Sequence, residues 1–282
     1  MKLPNFSYMM NVAQLRYIQS VYESPEHRNP DFMIRRFLPT LQRWGCDLRG
    51  KLLLSRLRSQ PFYYYVLART RYYDKVFADA IGQGLKYIVN VGCGSDTRAH
   101  RFAAAIRAKD VVVLECDQPQ AIRSKHQIAK RRWPADQVKY LPIDLNDRSW
   151  PEFEIWMSGH CNSAMLVLME GVSPYVAEDT FGRFLGYLVS RLRAGSRVVY
   201  DFKLCGLNDG FGRSDRVVRP FRLSAAREYV LAYHASLGYE IEQFQLSSEM
   251  EQQVLLRPAD SDIPLFQEDG LVQLVVPEAQ RS

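Results

Sequence analysis

The chain is expected to fold as an α/β protein: a doubly wound, mostly parallel sheet of seven strands with an N-terminal helical cap. Three observations predict this. A β-branched run, Tyr87 to Val91, ends in a glycine-rich turn and leads into apolar residues at helical spacing. Further apolar runs recur at the spacing of repeated strand–helix units. The first 84 residues carry helical periodicity and proline punctuation, without a strand-like run. The expected organisation is a helical cap or lid over residues 1–84, lying across the mouth of a sheet domain over residues 85–282.

Each element has its own justification. In the cap, Met10, Ala13, Leu15 and Tyr17–Ile18 make one helical face, and Phe32, Ile34, Phe37–Leu38 and Leu41 make another. Pro25, Pro30, Pro39 and Pro61 separate the segments. The aromatic run Phe62–Tyr65 is read first as packing and second as a substrate wall. Tyr87–Val91 reads as a strand buried on both faces. Val111 to Leu114 is the second strand, Val138 to Leu145 the third, Ala164 to Met169 the fourth and Arg197 to Phe202 the fifth. Asp179–Thr180 opens a helix that Gly195 closes, and a helix from Arg227 to Leu237 stops at Gly238. Tyr239 to Leu246 and Leu271 to Val276 close the sheet as a hairpin-like pair, joined by a polar, proline-containing loop.

Composition narrows the function. With 282 residues and 47% hydrophobic content, the chain can build one large core. The net charge of +6 is scattered over Arg35–Arg36, Lys130–Arg132, Arg191 and Arg193, without the clustered face that nucleic acid requires. The five cysteines are odd in number and lack a C-x-x-C pair, so neither a disulfide scaffold nor a metal site is indicated. Neither a signal peptide nor a spanning apolar run is visible, so a cytoplasmic protein without a membrane partner is expected.

In open α/β sheets the ligand lies across the carboxyl ends of the strands. Gly92 and Gly94 follow the first strand and let a ligand approach the backbone, because no Cβ intervenes. Asp117, after the second, can accept hydrogen bonds from both hydroxyls of a ribose. Asp144, after the third, can accept from an adenine amino group while Leu145 packs on the ring, and Glu170 follows the fourth. One such acid could simply cap the next helix; three at successive strand ends point to a nucleoside site. A dinucleotide fingerprint would place a third glycine where Thr97 stands, so that a pyrophosphate can sit on the helix N-terminus. S-adenosylmethionine has no phosphate, and Thr97 together with the antiparallel last strands favours it over NAD.

The segments VNVGCGSDTRAHRF from Val89 and VLECDQP from Val113 resemble the leucine carboxyl methyltransferase family. So do ARTRYYD from Ala68, LPIDLND from Leu141 and MEGVSPYV from Met169, in the same order; the chain before about Gln60 matches only loosely. The family belongs to the Rossmann-like class I S-adenosylmethionine-dependent methyltransferases. It joins protein-phosphatase carboxyl methyltransferases to bacterial O-methyltransferases of natural-product pathways, and the second branch is the one expected here. The resemblance implies cofactor contacts from Gly92, Gly94, Asp117, Asp144, Leu145 and Glu170. It also implies that Arg69 grips the methionine carboxylate, with Arg71 as the second choice. Glu170 would hold the donor's ammonium where the methyl emerges, and Tyr175 would shape the acceptor pocket; these two are the catalytic candidates. His100 is expected to face away from the methyl, and His234 to be a satisfied core or surface histidine.

A carboxylate acceptor needs no base, whereas a hydroxyl does. No acid–base pair declares itself, so both stay open. The expected activity is methyl transfer to an oxygen of a small polyketide- or peptide-like acceptor. The rivals are methylation of a protein C-terminus, an NAD-dependent oxidoreductase and an inactive binding protein of the same fold.

Overall fold

In the computed structural model, which describes residues 10–255 and 262–278, the first helix, α1 (Val12–Tyr22), opens on a reciprocal cap. The Gln14 N–H donates to Asn11 Oδ1 at 2.9 Å, and the Asn11 N–H donates to Gln14 Oε1 at 3.0 Å. α2 (Thr40–Arg58) follows Pro39, and α3 (Pro61–Gly82) takes proline at its first position, where the missing N–H costs nothing. Leu15, Ile18, Ile34, Leu57 and Val66 belong to one apolar cluster among these segments. The aromatic run packs: Tyr63 is buried and donates to Glu23 at 2.8 Å, and Tyr65 stacks on Phe266 at 4.5 Å.

The sheet begins with β1 (Tyr87–Val91), followed by short helices α4 (Arg98–Arg101) and α5 (Ala103–Ala108). Then come β2 (Val112–Asp117), α6 (Pro119–Arg132), β3 (Val138–Pro142), α7 (Pro151–His160) and β4 (Met165–Met169). α8 (Glu178–Arg191), β5 (Arg197–Leu204), β6 (Arg222–Leu223), α9 (Arg227–Ser236), β7 (Glu240–Leu246), α10 (Ser247–Val254) and β8 (Asp269–Val275) complete the described chain. The strand order is β3-β2-β1-β4-β5-β8-β7, with β6 paired to β5. β1 to β5 pair in parallel, whereas β8 runs antiparallel to both β5 and β7. This is the doubly wound α/β fold. Its order reverses between β1 and β4, which opens a crevice at their carboxyl ends. β4 is buried along its whole length, and α8 sets Phe181, Phe184, Leu185 and Leu188 on its core face.

Three expectations change. β3 stops at Pro142 rather than Leu145, because proline has no N–H to continue the ladder. β6 adds an eighth strand, too short to show any alternation in sequence. The loop between the last two strands contains α10, whose Ser247, Met250 and Glu251 are buried at helical spacing. Its polar composition conceals a helix stabilised by packing.

The chain packs as two compact units. One comprises Met1–Ala78, Ser95–Arg101 and Ser247–Gln267; the other comprises Asp79–Gly94, Phe102–Leu246 and Glu268–Ser282. Where a single boundary after residue 84 was expected, the chain leaves the first unit after Ala78 and returns to it twice, at Ser95–Arg101 and Ser247–Gln267. In the first unit, Arg101 donates to both Asp74 oxygens, at 2.5 and 2.6 Å, which ties Ser95–Arg101 to α3. Among the described residues, no helix is long and apolar enough to cross a membrane.

Candidate functional site

The ends of β1, β2 and β3 and the turn after β4 surround a cavity of about 340 Å³. Five of the expected residues, Gly92, Asp117, Asp144, Leu145 and Tyr175, line it together. Gly92 adopts φ +66°, and a Cβ there would stand 2.4 Å from Val172 Cγ2. Glycine at this position therefore satisfies both the backbone and its neighbour. Gly94, at φ +43°, donates its N–H to Asp117 Oδ2 at 2.6 Å, and Gln118 N–H donates to Asp117 Oδ1 at 2.7 Å. Two backbone donors thus hold this carboxylate at the cavity, and its remaining lone pairs can still accept from a ligand.

Asp144 is held from two sides. Its Oδ1 accepts from Asn146 N–H at 3.0 Å, and its Oδ2 accepts from Arg216 at 2.8 Å. Arg216 also donates to Asp147 at 3.1 Å. Val91, Ile143, Leu145 and Val172 supply apolar walls, while Tyr175 stands 55% exposed with its ring 5.7 Å from Phe211.

Glu170 is half-buried and lies outside the lining, directly before Gly171 and Val172, which belong to it. Arg69 is in the helical unit, buried on α3 with its guanidinium 5.3 Å from the Tyr65 ring centre. Arg71 donates to the carbonyls of Glu26 and Arg28, and burial lowers its pKa. It has a structural task within that unit. Thr97 is buried, hydrogen-bonded to Asp31, and accepts from Arg101 at 2.9 Å. His100 is buried and stacked on Phe37 at 5.9 Å.

His234 is a satisfied core histidine. Its Nδ1 lies 2.7 Å from the Val230 carbonyl, and its Nε2 lies 2.6 Å from the Tyr200 hydroxyl. These partners fix the neutral tautomer with the proton on Nδ1. Burial lowers its pKa to about 4, against the opposing bond to Val230.

Besides Arg216, two polar residues were missed by sequence reasoning. Asn146 donates from Nδ2 to the Tyr175 carbonyl at 2.9 Å and accepts at Oδ1 from the Ala177 N–H at 3.0 Å. Its amide bridges two loops that line the cavity. Asp201, buried in β5, accepts from Gly171 N–H at 2.6 Å, and its carbonyl accepts from the Ser173 hydroxyl at 2.8 Å. An acid inside the apolar run RVVYDFKL was the available signal for it.

The lining contains two carboxylates and no basic side chain. Such a set suits sugar hydroxyls, an aromatic base and positive charge, and the guanidinium beside it, Arg216, is engaged by Asp144 and Asp147. The profile of the leucine carboxyl methyltransferase family matches residues 10–189. The chain belongs to that family. By that membership it is a methyltransferase of the leucine carboxyl methyltransferase group. A candidate S-adenosyl-L-methionine-dependent methyltransferase of Mycobacterium ulcerans (strain Agy99) is 27% identical over 231 residues, covering 77% of this chain and 74% of its own. A similarly named protein of Mycobacterium avium (strain 104) is 29% identical over 139 residues, covering 49% and 43%. The solved magnesium protoporphyrin IX methyltransferase of Synechocystis PCC 6803 aligns at 13% identity and a TM-score of 0.47, over 75% of this chain and 85% of that one.

Proposed function

We propose that this member of the family is an O-methyltransferase that acts on a small natural product, using S-adenosylmethionine as the donor. The observation that carries the reading is the cavity at the strand ends, with Asp117 and Asp144 at its wall and no cation in its lining. Bound there, S-adenosylmethionine supplies an electrophilic methyl on a sulfonium. Asp117, already oriented by two backbone N–H groups, would accept from the ribose hydroxyls. Asp144 would take the adenine amino group, and Leu145 and Ile143 would flank the ring. Glu170 would hold the ammonium, as a carboxylate in a half-buried position can.

The acceptor would meet Tyr175 at the exposed end of the cavity. Asn146 and Asp201 would act through backbone, holding the turn that carries Tyr175. The chain's main contribution is to keep an acceptor oxygen in line with the methyl and away from water. Such positioning can contribute about 7–11 kcal/mol. A carboxylate acceptor would need no proton removed, which suits a cavity whose lining holds neither histidine nor lysine.

Titration calorimetry tests the donor. S-adenosylhomocysteine should bind and NAD should not. Asp117→Ala should weaken S-adenosylhomocysteine by about 1.5–3 kcal/mol, the range for a hydrogen bond to a charged group; unchanged affinity in a folded variant would refute the ribose assignment. The acceptor is tested with labelled donor and either a phosphatase catalytic subunit or a metabolite extract. Label on the protein's C-terminal carboxyl, with none on a small molecule, would move the assignment to the carboxyl-methylating side of the family.

A further inference from the structure

α2 has two apolar sides, and only one is buried. Cys46, Gly50 and Leu57 face the helical unit's interior, with Leu53 and Leu54 packed against its core. On the other side Leu41, Trp44, Leu48 and Leu52 are 82, 59, 77 and 79% exposed. Their spacing of three and four residues puts them in one file along three turns of helix. Four large apolar side chains exposed in a row mark an interaction surface rather than ordinary scatter.

The charges beside the file indicate what covers it. At about 100° per residue, Arg49 flanks the stripe on one edge and Lys51 on the other. The acid of α2, Asp47, is engaged by Arg35 at 3.0 Å and by the Tyr17 hydroxyl. The exposed surface is therefore an apolar ridge between basic margins. A second copy of the same helix would bring like charges together along both margins. An anionic bilayer accepts both features at once: the apolar ridge enters the acyl boundary, and the long basic side chains reach the headgroups.

We infer that α2 docks the protein on an anionic lipid surface, with Leu41, Trp44, Leu48 and Leu52 inserted and Arg49 and Lys51 on the headgroups. No spanning segment is required for this, since the helix lies in the plane of the interface. The inference is independent of the donor assignment.

The test is co-sedimentation of the full chain with vesicles of phosphatidylcholine alone, or with about 30 mol% phosphatidylglycerol added. Binding is expected to the anionic vesicles only and to fall at least tenfold at high salt, since exposed charges are screened. Leu48→Asp and the double variant Arg49→Glu/Lys51→Glu should each reduce it at least tenfold while the circular dichroism spectrum and melting curve are retained. Should Leu48→Asp fail to fold, the charge variant decides alone, because both its side chains are exposed. Absence of binding to anionic vesicles would overturn the inference, as would binding that a folded variant leaves unchanged. A dimer in light scattering that Leu48→Asp splits into monomers, without vesicle binding, would assign the ridge to a second copy and also overturn it.

Discussion

The two units differ in how much of their interior is ionic. The sheet unit is built around a continuous apolar cluster that includes Val89, Leu114, Val167, Phe184 and Val198, all essentially sealed from solvent. It also buries ion pairs, such as Lys125 with Glu115 at 2.8 Å, whereas the helical unit, beside its own apolar cluster, buries a linked ionic network. Arg98 is 1% exposed and donates to Asp74 at 2.9 Å and to Asp96 at 2.6 Å. Arg101 adds its two bonds to Asp74, and Asp31 lies 3.7 Å from both Arg16 and Arg101. Burial pushes the Asp31 carboxyl up in pKa, against the attraction of Arg101 and Arg16. Burial also opposes the charge on Arg101, but Asp74 more than offsets it and raises that pKa. An apolar core loses stability in proportion to what is removed, whereas a buried ionic cluster fails when one member leaves its partners uncompensated.

The strongest way to break this contrast is Asp74→Ala. It strips Arg98 and Arg101 of a shared acceptor and should cost about 3–5 kcal/mol in urea unfolding. A loss below about 1 kcal/mol would show that water compensates these guanidiniums and that the contrast is false.

Next in size is His234, a titratable group buried in the sheet unit. Its folded pKa of about 4 lies below the ordinary histidine value. Below about pH 6.5 the unfolded chain therefore binds a proton that the folded chain refuses. Stability should be level above that pH and fall as pH drops toward 4, by about 3 kcal/mol in all. Denaturant titrations of wild type and His234→Gln would sharpen the point, since the variant should lose this part of the acid slope.

Val167→Ala, in the middle of β4, tests the apolar side of the comparison. Two buried methyl groups at about 0.8 kcal/mol each, with a small cavity term, give a loss of about 2 kcal/mol. A loss as large as that of Asp74→Ala would erase the distinction between the units. The smallest effect is expected from Arg216→Ala. This arginine is 60% exposed, so its pairs with Asp144 and Asp147 should leave the melting temperature unchanged.

Much of the candidate site was legible because it obeys a one-dimensional rule. Gly92, Asp117, Asp144 and Leu145 each stand just past an apolar run, and a parallel sheet brings such positions to one edge. Arg216 obeys no such rule: 72 residues separate it from Asp144, in a segment without periodicity. Asn146 sat within a recognised block, but which groups its amide would bridge depends on a loop 29 and 31 residues away. The block SDTRAHR shows the same limit: nothing in its pattern indicated that from Asp96 to Arg101 its polar side chains build the ionic interior of the helical unit.

Sequence by itself determined the class of fold, the positions of the central strands and the turn glycines, because burial on both faces and positive φ leave local marks in residue choice. The tertiary structure alone decided that residues 95–101 and 247–267 belong with the helical unit, that a polar loop is the helix α10, and which carboxylates are held by which donors. Those outcomes depend on pairing between groups distant in the chain, and such pairings have no periodicity to read.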